Sequence, residues 1–436
     1  MKAAHPADGA AITSAHMGLG HLRAAHALRS VMNAPIILEG AHGPGGKEDR
    51  IWRWYRRLYT IMSRLDTVPL AGAWLKGLLI KLENIAPLYP HRDLSAPGFS
   101  VRYLDYLIRR RGLCRTGLKQ MERFHRLVHT FYASAVAGEL YLADKSHFLV
   151  VTDSDVHRIW APRNPDTSAI TYLVPCRRTC RRLRAYGVPA RNIRVTGFPL
   201  PKGLVGTEQQ DVLKSNLRRR LGRLAPSWWL RKHGPWLKHL LSQAPDTQQP
   251  GPMTLMCAIG GTGAQVDLLF AVLTSLRAHI QANRIRAALS LGVNQSLVQR
   301  VTRFLRRMDL TREQVEIVAH KTFAGYFDRF NRTLAHTDVL WTKPSELAFY
   351  ASLGLPIVTA PAIGAHEDAN RRWLSRIHAG LHHVPARCMG DWLTHAKQDG
   401  LLARAAVDGF AYGNALGAYN IRDLALSTRQ RTCKPG

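Results

Sequence analysis

Residues 253–265 read MTLMCAIGGTGAQ, and VDLLFAVLTSLRAHI comes next. A short apolar run that ends in glycines is a buried strand, and the apolar spacing after it is helical. The glycines between them allow a tight turn and let a ligand come close to the backbone. A glycine loop between strand and helix is the setting in which backbone N–H groups cradle a phosphate. Gly260, Gly261, Thr262 and Gly263 are therefore candidate ligand-binding residues, with Thr262 adding a hydroxyl donor. The competing reading is a purely structural strand-to-helix turn.

Toward the amino terminus, residues 10–32 repeat that plan. AAITS is a short strand, AHMGLG a glycine loop, and HLRAAHALRSVM places Leu22, Ala25, Leu28 and Met32 at helical spacing. Gly18 and Gly20 permit the close turn. His21 stands at the helix start, where an imidazole can take a proton from a hydroxyl; a helix-terminal histidine without a chemical role is the plainer alternative. Apolar runs at 35–40, 147–153, 169–175 and 192–201, then at 287–293, 315–320, 338–343 and 356–361, predict strands alternating with helices. That alternation predicts an α/β protein with mostly parallel sheets. Two such units in tandem predict two Rossmann-like domains facing a cleft, the layout called GT-B. The expected divisions are a first domain over 1–200, a linker with a basic, Trp-rich insertion over 201–250, and a second domain over 251–411. A C-terminal helix and tail over 412–436 is expected to cross back to the first domain.

At 436 residues the chain exceeds what one hydrophobic core serves, and its 46% hydrophobic content excludes wholesale disorder. The net charge of +31 attracts polyanions: nucleic acid, an anionic membrane, or phosphorylated small molecules. Six cysteines without zinc-ligand spacing predict reduced thiols in a cytoplasmic protein and no metal site. The first 18 residues have no charged region followed by a long apolar run, so no secretory leader is expected. No uncharged apolar stretch reaches membrane-spanning length.

Chemistry-bearing residues gather at predicted strand ends, where open α/β sheets bind ligands. Lys343 ends the strand at 338–343 with an ammonium suited to a phosphate, and Ser345 is placed to cap the next helix. Past the next strand come His366, Glu367 and Asn370; the last two can hydrogen-bond sugar hydroxyls, or HEDAN is simply an acidic helix start. In VTDSDVHRIWAP (151–162), Asp153, Asp155 and His157 suggest metal binding or acid–base work, or loop capping alone. The stretches at 51–65 and 217–241 mix Trp and Leu with Arg and Lys, as interfacial membrane segments do. Packed helices with basic faces, or an RNA-binding surface, would read the same way.

Taken in order, these motifs resemble a family of lipid-glycosylating GT-B enzymes, the monogalactosyldiacylglycerol synthases and processive diacylglycerol glucosyltransferases. More distantly they resemble the N-acetylglucosaminyl transferase of lipid II synthesis. MGLGHLRAAHAL (17–28), LVHTFYASAV (127–136), VTDSDVHRIWAP, the stretch 172–200 ending VTGFPL, IGGTG (259–263), LGVNQSL (291–297), TKPSELAFYASLGLPIV (342–358) and GAHEDAN (364–370) carry the likeness. The resemblance implies an acceptor-binding first domain and a donor-binding second one. It implies catalytic roles for His21, Asp153 and His157, and places His129 and Trp160 at the cleft. It implies donor contacts from Gly18, Gly20, Gly260, Gly261, Thr262, Gly263, Asn294, Lys343, Ser345, His366, Glu367 and Asn370. The implied co-substrate is a nucleotide-sugar, with a UDP-sugar foremost, and no metal or other cofactor. The implied acceptor is a lipid or small molecule, and the implied location is the cytoplasm, peripheral on the inner membrane face.

Three departures mark a divergent branch. The first loop is M-G-L-G, the family glutamate five residues before the GLP glycine is Phe349, with Glu346 three residues earlier, and the family glutamine before Glu367 is His366. Two other functions suit the same pattern: a sugar-nucleotide epimerase, and a non-catalytic GT-B shell that binds an anionic partner such as RNA.

Overall fold

The computed structural model describes residues 9–40, 46, 48–54, 85–245, 251–259, 263, 265–362, 364–382 and 385–427. Two six-stranded sheets form, with every neighbouring pair of strands parallel. The first holds β1 (Ala10–Ala15), β2 (Ile36–Glu39), β3 (Arg126–His129), β4 (Ser146–Val150), β5 (Thr171–Val174) and β6 (Ile193–Val195), in the order β2-β1-β3-β4-β5-β6. The second holds β7 (Met253–Ala258), β8 (Ile285–Gly292), β9 (Val315–Ala319), β10 (Val339–Thr342), β11 (Ile357–Thr359) and β12 (Gly380–Leu381), in the order β12-β11-β10-β7-β8-β9. This is the two-domain GT-B architecture. Every residue of β1 is buried, as expected of a strand with helices on both faces.

Sequence periodicity did not reveal β3 or β12. RLVH is too short to show a period of its own, and β12 is a two-residue edge strand that exists through its pairing with β11.

Strand order decides where ligands can reach. In the first sheet, β2 lies to one side of β1 and β3 to the other, so a crevice opens beyond the carboxyl ends of β1 and β3. In the second sheet the same reversal falls between β7 and β10. The helix α1 (Leu19–Met32) leaves β1 at the first crevice. Lys343 leaves β10 at the second.

The stretch 201–250 is helical where described, at Lys202–Val205, Asp211–Leu224 and Ser227–Leu241. Its Leu217, Leu221, Leu224, Trp229, Leu237 and Leu241 join the apolar core beneath the second sheet. Buried Arg220 ties it down, donating to the carbonyls of Thr337, Leu353 and Gly354 at 2.8–3.0 Å. The final helix, Gly417–Leu426, returns to the first domain. Its Ala418, Ile421 and Ala425 pack with Ile12, Leu28 and Val128, while Asn414 and Asn420 both donate to the Thr196 carbonyl. Among the described residues no helix is long and apolar enough to cross a membrane.

Candidate active site

The two crevices face each other across a cavity of about 350 Å³. Its first-domain wall includes Gly18, Gly20, His21, Arg23, Thr152 and Asp153, and its second-domain wall includes Tyr326, Lys343, Ser345, Glu346, His366 and Glu367.

The first wall is built by the turn after β1. Gly18 has φ of 110°, a conformation that side chains with a Cβ rarely adopt, and it delivers α1 directly into the cavity. Among the described residues no side chain caps α1, whose positive dipole end opens on the cavity. At Gly20 the neighbouring domain comes close: a Cβ there would lie 3.4 Å from the Glu346 side chain.

His21 is next in the chain, and its ring is held on several sides. Nδ1 lies 2.5 Å from the Thr130 carbonyl oxygen, just past β3, and Phe131 meets the ring edge-on at 5.1 Å. A carbonyl only accepts, so Nδ1 carries the proton and the neutral ring keeps its lone pair on Nε2. Burial pushes the His21 pKa below its ordinary value, with the Asp153 charge, the Thr130 bond and the Glu346 charge opposing that shift and His366 adding to it. The ring is therefore neutral at physiological pH, the state a base requires.

Asp153 lies in the loop beyond β4 and is tied to the other domain. Asn370, in the helix Ala365–Arg376, donates from Nδ2 to Asp153 Oδ1 at 3.0 Å and accepts from the Ser154 N–H at 2.8 Å. From below, Thr179 donates to the Ser154 carbonyl at 2.8 Å. Asp155, the second acid of that segment, is turned into the protein. Arg182 and Arg178 chelate it at 2.7–3.1 Å, which makes it a structural counter-ion.

On the second wall, Lys343 Nζ pairs with Glu367 Oε1 at 2.5 Å. The Glu367 side chain is 2% exposed, so its first duty is to hold the lysine. Ser345 lines the cavity but makes no capping bond, and the chain continues as a 3₁₀ stretch, Glu346–Leu353, where an α-helix was expected. Glu346 points back across the cleft to Arg23, 3.3 Å away. Phe349, at the position where the family has glutamate, is buried and stacks on Phe198 with centroids 5.0 Å apart.

Some expected residues lie elsewhere. His157 is not part of the cavity wall: its Nδ1 accepts from the Ile159 N–H at 3.4 Å and caps a short turn. Asn294 caps the helix Gln295–Arg307, accepting from the Leu297 N–H at 3.1 Å. His129 is fully buried within the first sheet, bonded to Thr13 Oγ1 at 2.8 Å and to His147 at 3.1 Å. Trp160 stands 5.9 Å from the His21 ring, centroid to centroid. Gly263 adopts φ of 69° after β7. Gly260, Gly261 and Thr262 lie outside the described residues, as does most of the basic stretch 51–65.

Arg23 is the site residue that sequence reasoning missed. In the sequence it is one more arginine on a helix; in the fold it is 2% exposed. Its guanidinium lies 4.2 Å from the Phe330 ring centroid and 5.0 Å from that of Phe327, donates to Tyr326 Oη at 3.4 Å, and meets Glu346. The available signal was the aromatic stripe Phe323, Tyr326, Phe327, Phe330, which offers a cation a π-lined slot.

By sequence, no protein family and no curated protein matches this chain. By shape it is similar to solved structures. A crystal structure from Listeria monocytogenes, described as a candidate UDP-N-acetylglucosamine 2-epimerase, superposes with a TM-score of 0.50 at 10% identity, covering 98% of each chain. MurG of Acinetobacter baumannii gives a TM-score of 0.48 at 12% identity, covering 96% of this chain and 99% of that one. Anabaena HepE in complex with UDP and glucose gives 0.47 at 11% identity, covering 96% and 98%. At such identities the likeness is one of fold.

Proposed function

We propose that this chain is a glycosyltransferase that moves a sugar from a nucleoside-diphosphate donor, a UDP-sugar foremost, to an acceptor hydroxyl. The carrying observation is His21: Nδ1 is fastened to the Thr130 carbonyl, which leaves Nε2 as the proton acceptor of a ring that lines the inter-domain cavity. In this reading the acceptor hydroxyl gives its proton to His21 as the sugar is transferred, and Asp153 stabilises the imidazolium that forms. The donor diphosphate lies against the glycine loop 260–263 and Lys343, where a cation and backbone N–H groups offset the charge of the leaving group. Closure of the two domains excludes water, so that the sugar passes to the acceptor and not to solvent.

A lipid acceptor at an anionic membrane surface suits the first domain. On the helix Phe99–Arg111 and its neighbour, the stacked rings of Phe99, Tyr103 and Tyr106, with Trp54 against Tyr103, stand beside Arg50, Arg110 and Arg111. Exposed rings among arginines suit an acyl boundary under anionic headgroups.

A thermal-shift screen against UDP, GDP, ADP, CMP and dTDP, free and as sugar conjugates, tests the donor site. A nucleotide that binds the native state raises the melting point by mass action. Stabilisation by one diphosphate that Lys343→Ala abolishes supports the donor site; no shift with any nucleotide refutes it. Conversion of the sugar-nucleotide to an epimer with no acceptor present would assign epimerase chemistry instead. Salt-sensitive RNA binding without nucleotide binding would assign the non-catalytic reading.

A further inference from the structure

By its place at a strand end, Asn370 is expected to hydrogen-bond a sugar hydroxyl. In this chain both of its amide groups are already engaged, and both partners belong to the other domain. Oδ1 accepts from the Ser154 N–H at 2.8 Å and Nδ2 donates to Asp153 Oδ1 at 3.0 Å. The two bonds fix each other: flipping the amide would set donor against donor and acceptor against acceptor. Asn370 is fully buried, so no solvent competes for these bonds. The loop it grips is anchored from beneath, where Thr179 donates to the Ser154 carbonyl and Arg178 and Arg182 hold Asp155. The bond from Asn370 to Asp153 Oδ1 therefore comes from the second domain, while within the first domain Thr152 Oγ1 stands 3.5 Å from the other carboxylate oxygen.

We propose that Asn370 is a positioning residue: reaching from the second domain, it holds the Asp153 carboxylate toward His21, so that the proton-accepting pair is complete only when the domains are together. This rests on the reading of His21 as the base. It ties chemistry to closure, because an open cleft lacks the amide that aims the acid, and a donor left in an open cleft meets an incomplete base. Asn370 therefore bears on turnover and not on donor recognition. The groups that face His21 are the Thr130 carbonyl on its own domain, Asp153 from the loop beyond β4, and Glu346 and His366 from the second domain.

The experiment is a double-mutant cycle on the full chain, Asn370→Ala, Asp153→Ala and both, with the His21 ring followed by NMR as pH is varied and turnover measured alongside. Removing Asp153 lowers the His21 titration midpoint, since that carboxylate favours the imidazolium. The expected result is that Asn370→Ala lowers it in the same direction, by about half a pH unit, and that the double variant goes no further than Asp153→Ala. Turnover is expected to fall about tenfold or more in Asn370→Ala, with donor KM little changed and no additivity in the double variant. A midpoint that rises toward the ordinary histidine value would mean that Asn370 merely keeps the cleft shut and dry, and would overturn the proposal. So would an unchanged midpoint, or fully additive effects. Because the titration needs no substrate, a chain that shifts as expected yet transfers no sugar refutes the proposed function and leaves the positioning role standing.

Discussion

Replacing Glu39 by Gln should remove the loss of stability that this one carboxyl causes between about pH 5 and 8. Glu39 ends β2 with its side chain fully buried and its carboxyl pressed against Gly117. Burial pushes its pKa up from 4.5 to about 8, with the nearby Glu48 charge adding to the rise and the Ser134 hydroxyl opposing it. The folded chain therefore holds a proton that the unfolded chain has released, and stability is lost as pH climbs from the unfolded value to the folded one. Each pH unit within that window costs about 1.4 kcal/mol, so the loss across it is on the order of 4 kcal/mol. Gln keeps the size and drops the ionisation. With roughly 2–4 °C of melting temperature per kcal/mol for a domain of this size, the advantage of Glu39→Gln over the parent should widen by roughly 8–16 °C from pH 5 to pH 8.5. Differential scanning calorimetry of both proteins over that range decides it. Parallel melting curves across the window would show that Glu39 is hydrated or paired in the folded protein, and would refute the reasoning.

Four other perturbations test the site and its support. His21→Ala should cut turnover by roughly 10²–10⁴-fold while nucleotide binding, read by thermal shift, stays intact. Because burial lowers the His21 pKa and the neutral ring is the active form, parent turnover should rise with pH through a midpoint below 6.5 and be level at neutrality; a midpoint near that of a solvated histidine would contradict this. Gly18→Ala forces a Cβ onto φ of 110° and should cost about 1–3 kcal/mol, seen as a lower urea midpoint, with a greater loss of turnover because α1 is misaimed. Asp155→Ala leaves the Arg178 and Arg182 cations without their shared counter-ion and should cost about 3–5 kcal/mol by equilibrium unfolding. A change within about 0.5 kcal/mol would mean that water replaces the carboxylate there.

Local features were legible in the order of the amino acids. Short apolar runs located ten of the twelve strands among the described residues, because a buried parallel strand must be apolar on both faces and must stop where the chain turns. Parallel strand pairing then put Gly18, His21, Asp153 and Lys343 at carboxyl ends, and those are the ends that face the cavity. Residues whose meaning lies in a distant partner were not legible. Arg23 meets Glu346, 323 positions away, and Asn370 meets Ser154 at a separation of 216. No periodicity encodes such pairs, since they arise only when two separately folded sheets close on each other. The same limit explains His157 and Asn294. Asp, Asn and His serve equally well as caps or as ligands, and only the position of the nearest unpaired N–H, set by how the chain packs in three dimensions, tells one use from the other.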